Sequence, residues 1–267
     1  MSFRATAFVC LYNEADIIWY VLRHLQEQGI SVHVVDNWST DGSADIVHDF
    51  KLQGYERFPA DGPSPYYSWR LLLQRVEELA YRSDADWCIH HDADEIRRSP
   101  RAGESLLDGL ERVGREGYSA VNFQVYHFMP VDDLYVGNPE RHFRCYTVGH
   151  PDSQMRQVKA WKRTDCRVDL SSTGGHFAKF PGMLVSPEFF VLKHYPLRTS
   201  AQAERKVIRE RVGRYDPAER AMKWHVQYDG LAASQQWLSR PEELALWNDE
   251  LPPRALPCPA ALLGGTT

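Results

Sequence analysis

The chain offers little from which to build a disulfide framework. Its five cysteines, at positions 10, 88, 145, 166 and 258, are odd in number and include no Cys-x-x-Cys pair. This argues against both a disulfide scaffold and a zinc ribbon and points to a reducing compartment, with the cytoplasm as the expected location. No apolar run approaches the ~20 residues that span a bilayer. Met1 to Arg4 leads directly into a strand-like stretch, without the pattern of a secretory leader. Positive charge is not in excess either. A net charge of −5 makes nucleic acid an unsuitable partner. What is present is ordinary for a globular protein: 267 residues, 43% hydrophobic and 25% charged, enough for one large α/β domain with or without a C-terminal appendage. No internal repeat is found.

The first half alternates strand and helix patterns. Ala5 to Leu11 is an apolar run with one Thr, as in a strand buried on both faces. Ile17, Ile18, Val21, Leu22 and Leu25 then recur at helical spacing up to Gly29, a C-terminal stop. Val32 to Val35 reads as a strand, Ala44 to Phe50 as a helix, Tyr55 to Phe58 as a strand, Trp69 to Tyr81 as a helix and Trp87 to His90 as a strand. Strands joined by helices of this length imply right-handed crossovers and a mostly parallel sheet, with ligands bound beyond the carboxyl ends of the strands. After Pro100 come a helix from Ser105 to Arg115, a strand from Val121 to Tyr126, and strands near 143–148, 157–162 and 189–193. A charged helix spans Ala201 to Arg214, and a low-complexity tail begins at Pro252.

The most informative run is Asp86-Trp87-Cys88-Ile89-His90-His91-Asp92-Ala93-Asp94-Glu95. Three carboxylates within four positions repel one another, and each must be desolvated if the site closes. A hard divalent cation that shares oxygens with a diphosphate, Mg²⁺ or Mn²⁺, relieves both costs. Two further strand ends carry polar groups: Asn13 and Glu14 after the first strand, and Asp36 in Val35-Asp36-Asn37-Trp38-Ser39-Thr40-Asp41-Gly42-Ser43 after the second. Asp36 is suited to accept from a pyrimidine N–H or a ribose hydroxyl. Asp16 is expected to cap the first helix.

Val9 to Glu14, Val35 to Ser43 and Asp92-Ala93-Asp94-Glu95 together resemble the family 2 glycosyltransferases of the GT-A fold, over roughly residues 5–98 with a weaker likeness at 175–206. The resemblance implies a Rossmann-like, mostly parallel sheet with helices on both faces, and an acceptor-side region with a small antiparallel part. It divides the chain into a nucleotide-sugar half (1–98), an acceptor half of the same domain (99–200) and a C-terminal helical region (201–267). It implies transfer of a sugar, a hexose and with inversion, from a nucleotide-diphosphate sugar (UDP favoured) to a hydroxyl acceptor. It also implies that Cys10, Tyr12 and Glu14 line the nucleotide pocket, Asp36 binds the base, Asp92 contacts ribose or metal, Asp94 binds Mn²⁺ or Mg²⁺, and Glu95 orients those ligands. Asn37 stands where many members carry a second Asp, and Gln235-Gln236-Trp237 does not match the Gln-x-x-Arg-Trp motif of processive synthases.

Two C-terminal histidines are candidates: His194 as a further metal ligand and His176 as a secondary one. Arg198, Gln202 and Lys206 lie four apart, so on one helix face Arg198 and Lys206 would meet a diphosphate; Arg70 is a weaker candidate. The same run holds Arg205, Arg209, Arg211 and Arg214, read as a solvated basic helix. The base that deprotonates the acceptor is sought among Asp165, Asp169, Glu188, Asp132 and Asp133, with Asp169 preferred. Rival readings are a sugar-1-phosphate nucleotidyltransferase, disfavoured because no Gly-rich basic loop follows the first strand, a HAD-type phosphatase, whose Asp-x-Asp lies on its first strand, and a non-catalytic binding subunit.

Overall fold

A computed structural model of the protein describes residues 2–148 and 156–248; Cys258 and the tail expected from Pro252 lie outside the described residues. Four parallel strands form one half of the sheet: β1 (Ala5–Leu11), β2 (Ser31–Asp36), β3 (Gly54–Arg57) and β4 (Trp87–Asp92), in the order β4-β1-β2-β3. All seven residues of β1 are buried, because a central strand covered by helices on both sides has no solvent face. Ala7, Val9 and Leu11 enter one core with Ile18, Val21, Leu22 and Leu25 of α1 (Ile18–Glu27). Phe8 and Cys10 enter the other with Leu72, Leu73, Val76 and Ala80 of α3 (Trp69–Arg82). Between them in sequence lies α2 (Ser43–His48). The mixed α/β class expected from the strand–helix alternation is the one observed.

The remaining strands continue the same sheet. After β4 come β5 (Glu95–Arg98), α4 (Leu106–Arg115), β6 (Ala120–Phe128), α5 (Pro139–His142), β7 (Cys145–Val148), β8 (Arg156–Lys162) and β9 (Val185–His194). β8 runs antiparallel between β4 and β6, β7 is antiparallel to β6, and the two-residue β10 (Ala245–Leu246) closes that edge. β9 pairs parallel with β6 and antiparallel with β5, with Glu95 opposite His194. The expected antiparallel part is therefore present, joined to the parallel half through the β4–β8 ladder.

The charged helix expected over 201–214 is split. A short α6 (Ser200–Glu204) passes into a π-helical stretch, Arg205–Val212, and then into α7 (Pro217–Ala221) and α8 (Gln227–Ser234). Pi-helical geometry is rare and often found at functional sites. Lys223 and His225, in the connection to α8, have positive φ of 62° and 63°, which non-glycine residues adopt only under constraint from their surroundings.

Two histidines far from the strand ends give the fold a pH dependence. His24 donates from Nε2 to the Arg97 carbonyl oxygen at 2.7 Å, and burial holds its pKa below the usual 6.5. Burial lowers His33 in the same way, with its Nε2 left without a partner. Below pH 6.5 the unfolded chain takes up protons that these folded imidazoles refuse, so stability falls as pH falls. We expect thermal melts to show a decline between about pH 6.5 and 5, with a shallower slope in His24→Gln; a flat profile over that interval contradicts this reading.

Candidate active site

The strand ends converge as the register requires. Cys10 of β1 lies opposite Asp92 of β4, and Leu11 opposite Asp36 of β2. Above them opens a cavity of about 560 Å³, whose wall includes Cys10, Tyr12, Glu14, Asp92, Asp94, His176, His194 and Lys206. Eight of the expected site residues thus share one concave surface. Burial pushes the Cys10 thiol well above its usual pKa, so it is a wall group and not a nucleophile.

The carboxylates here are compensated by cations of the chain itself. Lys206 Nζ donates to Asp94 Oδ2 at 2.8 Å and to Glu14 Oε1 at 2.7 Å. Lys159, inside β8, donates to Asp92 Oδ2 at 2.6 Å and Glu95 Oε1 at 2.9 Å; Arg97 also pairs with Glu95. Burial works to raise the pKa of Asp94, but Lys206 and His194 outweigh it and hold this carboxyl well below its usual range. Glu95 is held down in the same way by Lys159 and Arg97. For Asp92 burial wins over Lys159, and its pKa rises to about 6. Its Oδ1 is buried without a hydrogen-bond partner, with His90 Nε2 at 3.4 Å.

His194 Nε2 lies 3.5 Å from Asp94 Oδ1, and its Nδ1 meets His127 Nδ1 at 2.9 Å. Burial presses His127 down to about 3, so that ring is neutral and holds the orientation of His194. Burial likewise lowers His176, to about 4. Among the described residues no three His, Cys, Asp or Glu side chains converge tightly enough to hold a metal by themselves.

Several expected site residues are placed elsewhere. Asp36 is fully buried and is not part of the cavity wall; its carboxylate accepts from Ser39 N, Ser39 Oγ and Tyr55 Oη, which makes it the keeper of the β2 turn. Arg198 is buried away from the cavity. Its guanidinium forks onto Asp16 (2.6 and 2.8 Å), touches Glu14, and donates to the Tyr195 carbonyl oxygen. Asp16 is therefore this clamp's partner, and α1 has no side-chain cap. Glu95 is buried and does not line the cavity. Arg70 is exposed and does not line the cavity. Asp169 does not line it either. Its carboxylate accepts from Ser172 N and Oγ and so fixes the turn that brings Ser172 to Gly174 into the wall.

Other groups in the wall escaped sequence reasoning. Tyr67, Trp69, Arg211, Tyr215 and His225 all face the cavity. Glu219, itself buried, accepts from Ser68 Oγ, Trp69 N, Arg70 N and His225 Nε2, the last at 2.9 Å. A carboxylate accepts, so His225 places a hydrogen on Nε2 toward Glu219, and in the neutral imidazole Nδ1 is then the acceptor. The ring stacks on Tyr215 at 4.2 Å.

The chain matches no protein-family model and no curated protein. Among solved structures it is similar to S. aureus TarS, with 14% identity and a TM-score of 0.40, over 77% of this chain and 39% of TarS. It is similar also to mannosyl-3-phosphoglycerate synthase from Rubrobacter xylanophilus, with 14% identity and a TM-score of 0.41, over 90% of this chain and 78% of that one. Likenesses this weak leave the functional argument to the site itself. No described helix is long and apolar enough to cross a membrane.

Lys159 is the counter-charge on which the floor of the site depends. Replacing it by Met leaves Asp92 without a cation and Glu95 with Arg97 alone. Lys159→Met should cost about 3–5 kcal/mol in urea unfolding; a loss under about 1 kcal/mol would mean that the pair is solvated and unimportant.

Proposed function

We propose that the chain is a glycosyltransferase that takes a nucleotide-diphosphate sugar, with UDP the favoured nucleotide, and passes the sugar, a hexose by preference, to a hydroxyl acceptor with inversion. The observation that carries this reading is the cavity at the carboxyl ends of parallel strands, with Asp94, His194 and Lys206 together in its wall. Ligands bind in that crevice in open α/β sheets. Among the described residues the thiols of Cys10, Cys88, Cys145 and Cys166 are free, in agreement with a reducing compartment, for which we propose the cytoplasm.

Asp94 and His194 fit a shared Mn²⁺ or Mg²⁺. Their facing atoms lie 3.5 Å apart, His127 steers the imidazole from behind, and such ions take their remaining ligands from substrate phosphates and water. When bound, the ion would supply charge stabilisation to the departing diphosphate. The residues of the chain do the rest. Lys206 holds Asp94 and Glu14 in place and adds a positive charge on the leaving-group side. The tyrosine and tryptophan rings give flat apolar walls against which a base or a sugar can stack.

Every carboxylate of the wall is already engaged by a cation, so the acceptor's proton goes to an imidazole. His225 is oriented for this by Glu219. As the acceptor oxygen bonds to the anomeric carbon, its proton passes to His225 Nδ1 and the carbon–oxygen bond to the diphosphate breaks, its electron pair leaving with the diphosphate. The imidazolium so formed is stabilised by Glu219.

Release of nucleotide from UDP-, GDP-, dTDP- and CMP-sugars, with Mn²⁺ and with EDTA, is the test. Turnover of a diphosphate sugar that EDTA abolishes is the expected result. Asp94→Asn should lower it about 100-fold or more in a protein that still folds cooperatively, though at a lower melting temperature because Lys206 keeps only Glu14 as its carboxylate partner. His225→Gln should lower kcat without weakening nucleotide binding. No release from any donor would overturn the assignment.

A further inference from the structure

Arg211 stands apart from the other buried cations. Arg97, Lys159, Arg198 and Lys206 each pair with a carboxylate. Arg211 is 9% exposed, and no carboxylate pairs with it among the described residues. Its guanidinium lies 3.8 Å from the centroid of Tyr67 and 5.3 Å from that of Tyr12, and its Nε is buried without a hydrogen-bond partner. The Tyr215 hydroxyl is likewise buried and unpartnered. Arg211, Tyr67, Tyr12 and Tyr215 all line the cavity. A cation without a carboxylate is costly to bury, and a hydrogen bond shared with Tyr67 together with stacking on two rings offsets only part of that cost.

The backbone explains how this arginine reaches the wall. Lys206 and Arg211 are five residues apart, and in an α-helix they would diverge by about 140°. Arg205–Val212 is π-helical, with hydrogen bonds that close over five residues and bring such pairs toward one face. Both side chains therefore face the cavity.

We propose that Arg211 and the Tyr215 hydroxyl form a binding site for a phosphate group of a substrate. The phosphate belongs either to the donor's diphosphate or to a phosphorylated acceptor. The proposal rests on the transferase reading only for the naming of these two sources. In either case Arg211, and not Arg198, is the arginine free to receive an anion, because Arg198 is already spent on Asp16 and Glu14.

Calorimetric titration of the full chain with UDP, uridine and orthophosphate, in wild type and Arg211→Gln, decides it. If the donor's diphosphate is the ligand, Arg211→Gln loses at least 10-fold in UDP affinity, keeps uridine affinity, and UDP-saturated wild type no longer takes orthophosphate. If an acceptor phosphate is the ligand, UDP affinity is unchanged, and orthophosphate binds UDP-saturated wild type but not the variant. Because the cation has no carboxylate partner, the variant should melt at or above the wild-type temperature. A fall of more than about 5 °C would mark Arg211 as a structural residue and overturn the proposal. So would UDP and orthophosphate binding that the substitution leaves as they were, or wild type that binds neither. Orthophosphate held through Arg211 in a chain that releases nothing from any sugar nucleotide would remove the transferase and leave the anion site standing.

Discussion

Five carboxylates, of which Glu14, Asp94 and Glu95 are buried, can gather at the carboxyl edge of a parallel sheet only if positive charge gathers with them. Glu14, Asp16, Asp92, Asp94 and Glu95 are met by Lys159, Arg97, Arg198 and Lys206, contributed by strands and by a helical segment far away in sequence. Coulomb attraction at these distances is strong only because water is excluded, and the same exclusion would make any unmatched member expensive. The architecture follows from this exchange. The antiparallel half lies beside the parallel half because β8 brings Lys159 under the acidic turn, and the carboxy-terminal segment crosses the strand ends because Arg198 and Lys206 belong to it.

The parallel half was legible because its signals are local. A wholly buried run reads as a central strand, and a stripe at helical spacing reads as its covering helix; β1, α1, α3 and β4 fell within two residues of their expected ends. The acidic turn was legible too, since Asp92 and Asp94 follow an apolar strand. What escaped notice depended on partners distant in sequence. β5 is four residues long and gains its place only by pairing with β9, some hundred residues on. Lys159 sits in a run, Val158-Lys159-Ala160-Trp161, whose apolar character says strand and says nothing of a counter-charge.

Side-chain roles were harder still. Asp36 and Asp169 carry the right chemistry for a base-binding group and a general base, yet each spends its oxygens on a nearby turn: Ser39 for one, Ser172 for the other. Short polar side chains next to turns commonly do this. Arg211 reads as one charge in a solvated run because Arg205, Arg209 and Arg214 lie beside it, and α-helical spacing would set it off the face of Lys206. The change to π-helical closure moves it, and composition gives no sign of such a change. The imidazole of His225 is usable only through Glu219, which lies in a segment with no apolar periodicity to announce it.

The carboxy-terminal segment is fastened across long stretches of chain. Lys206 reaches Glu14 over 192 residues, and Arg198 reaches Asp16 over 182. None of the ladder pairings of β1 to β4 involves residues 198–234. Hydrogen exchange should therefore find two cooperative units, a slow one in the parallel strands and a faster one in this strap, and the entropy of closing so large a loop places the strap among the last pieces to settle in refolding.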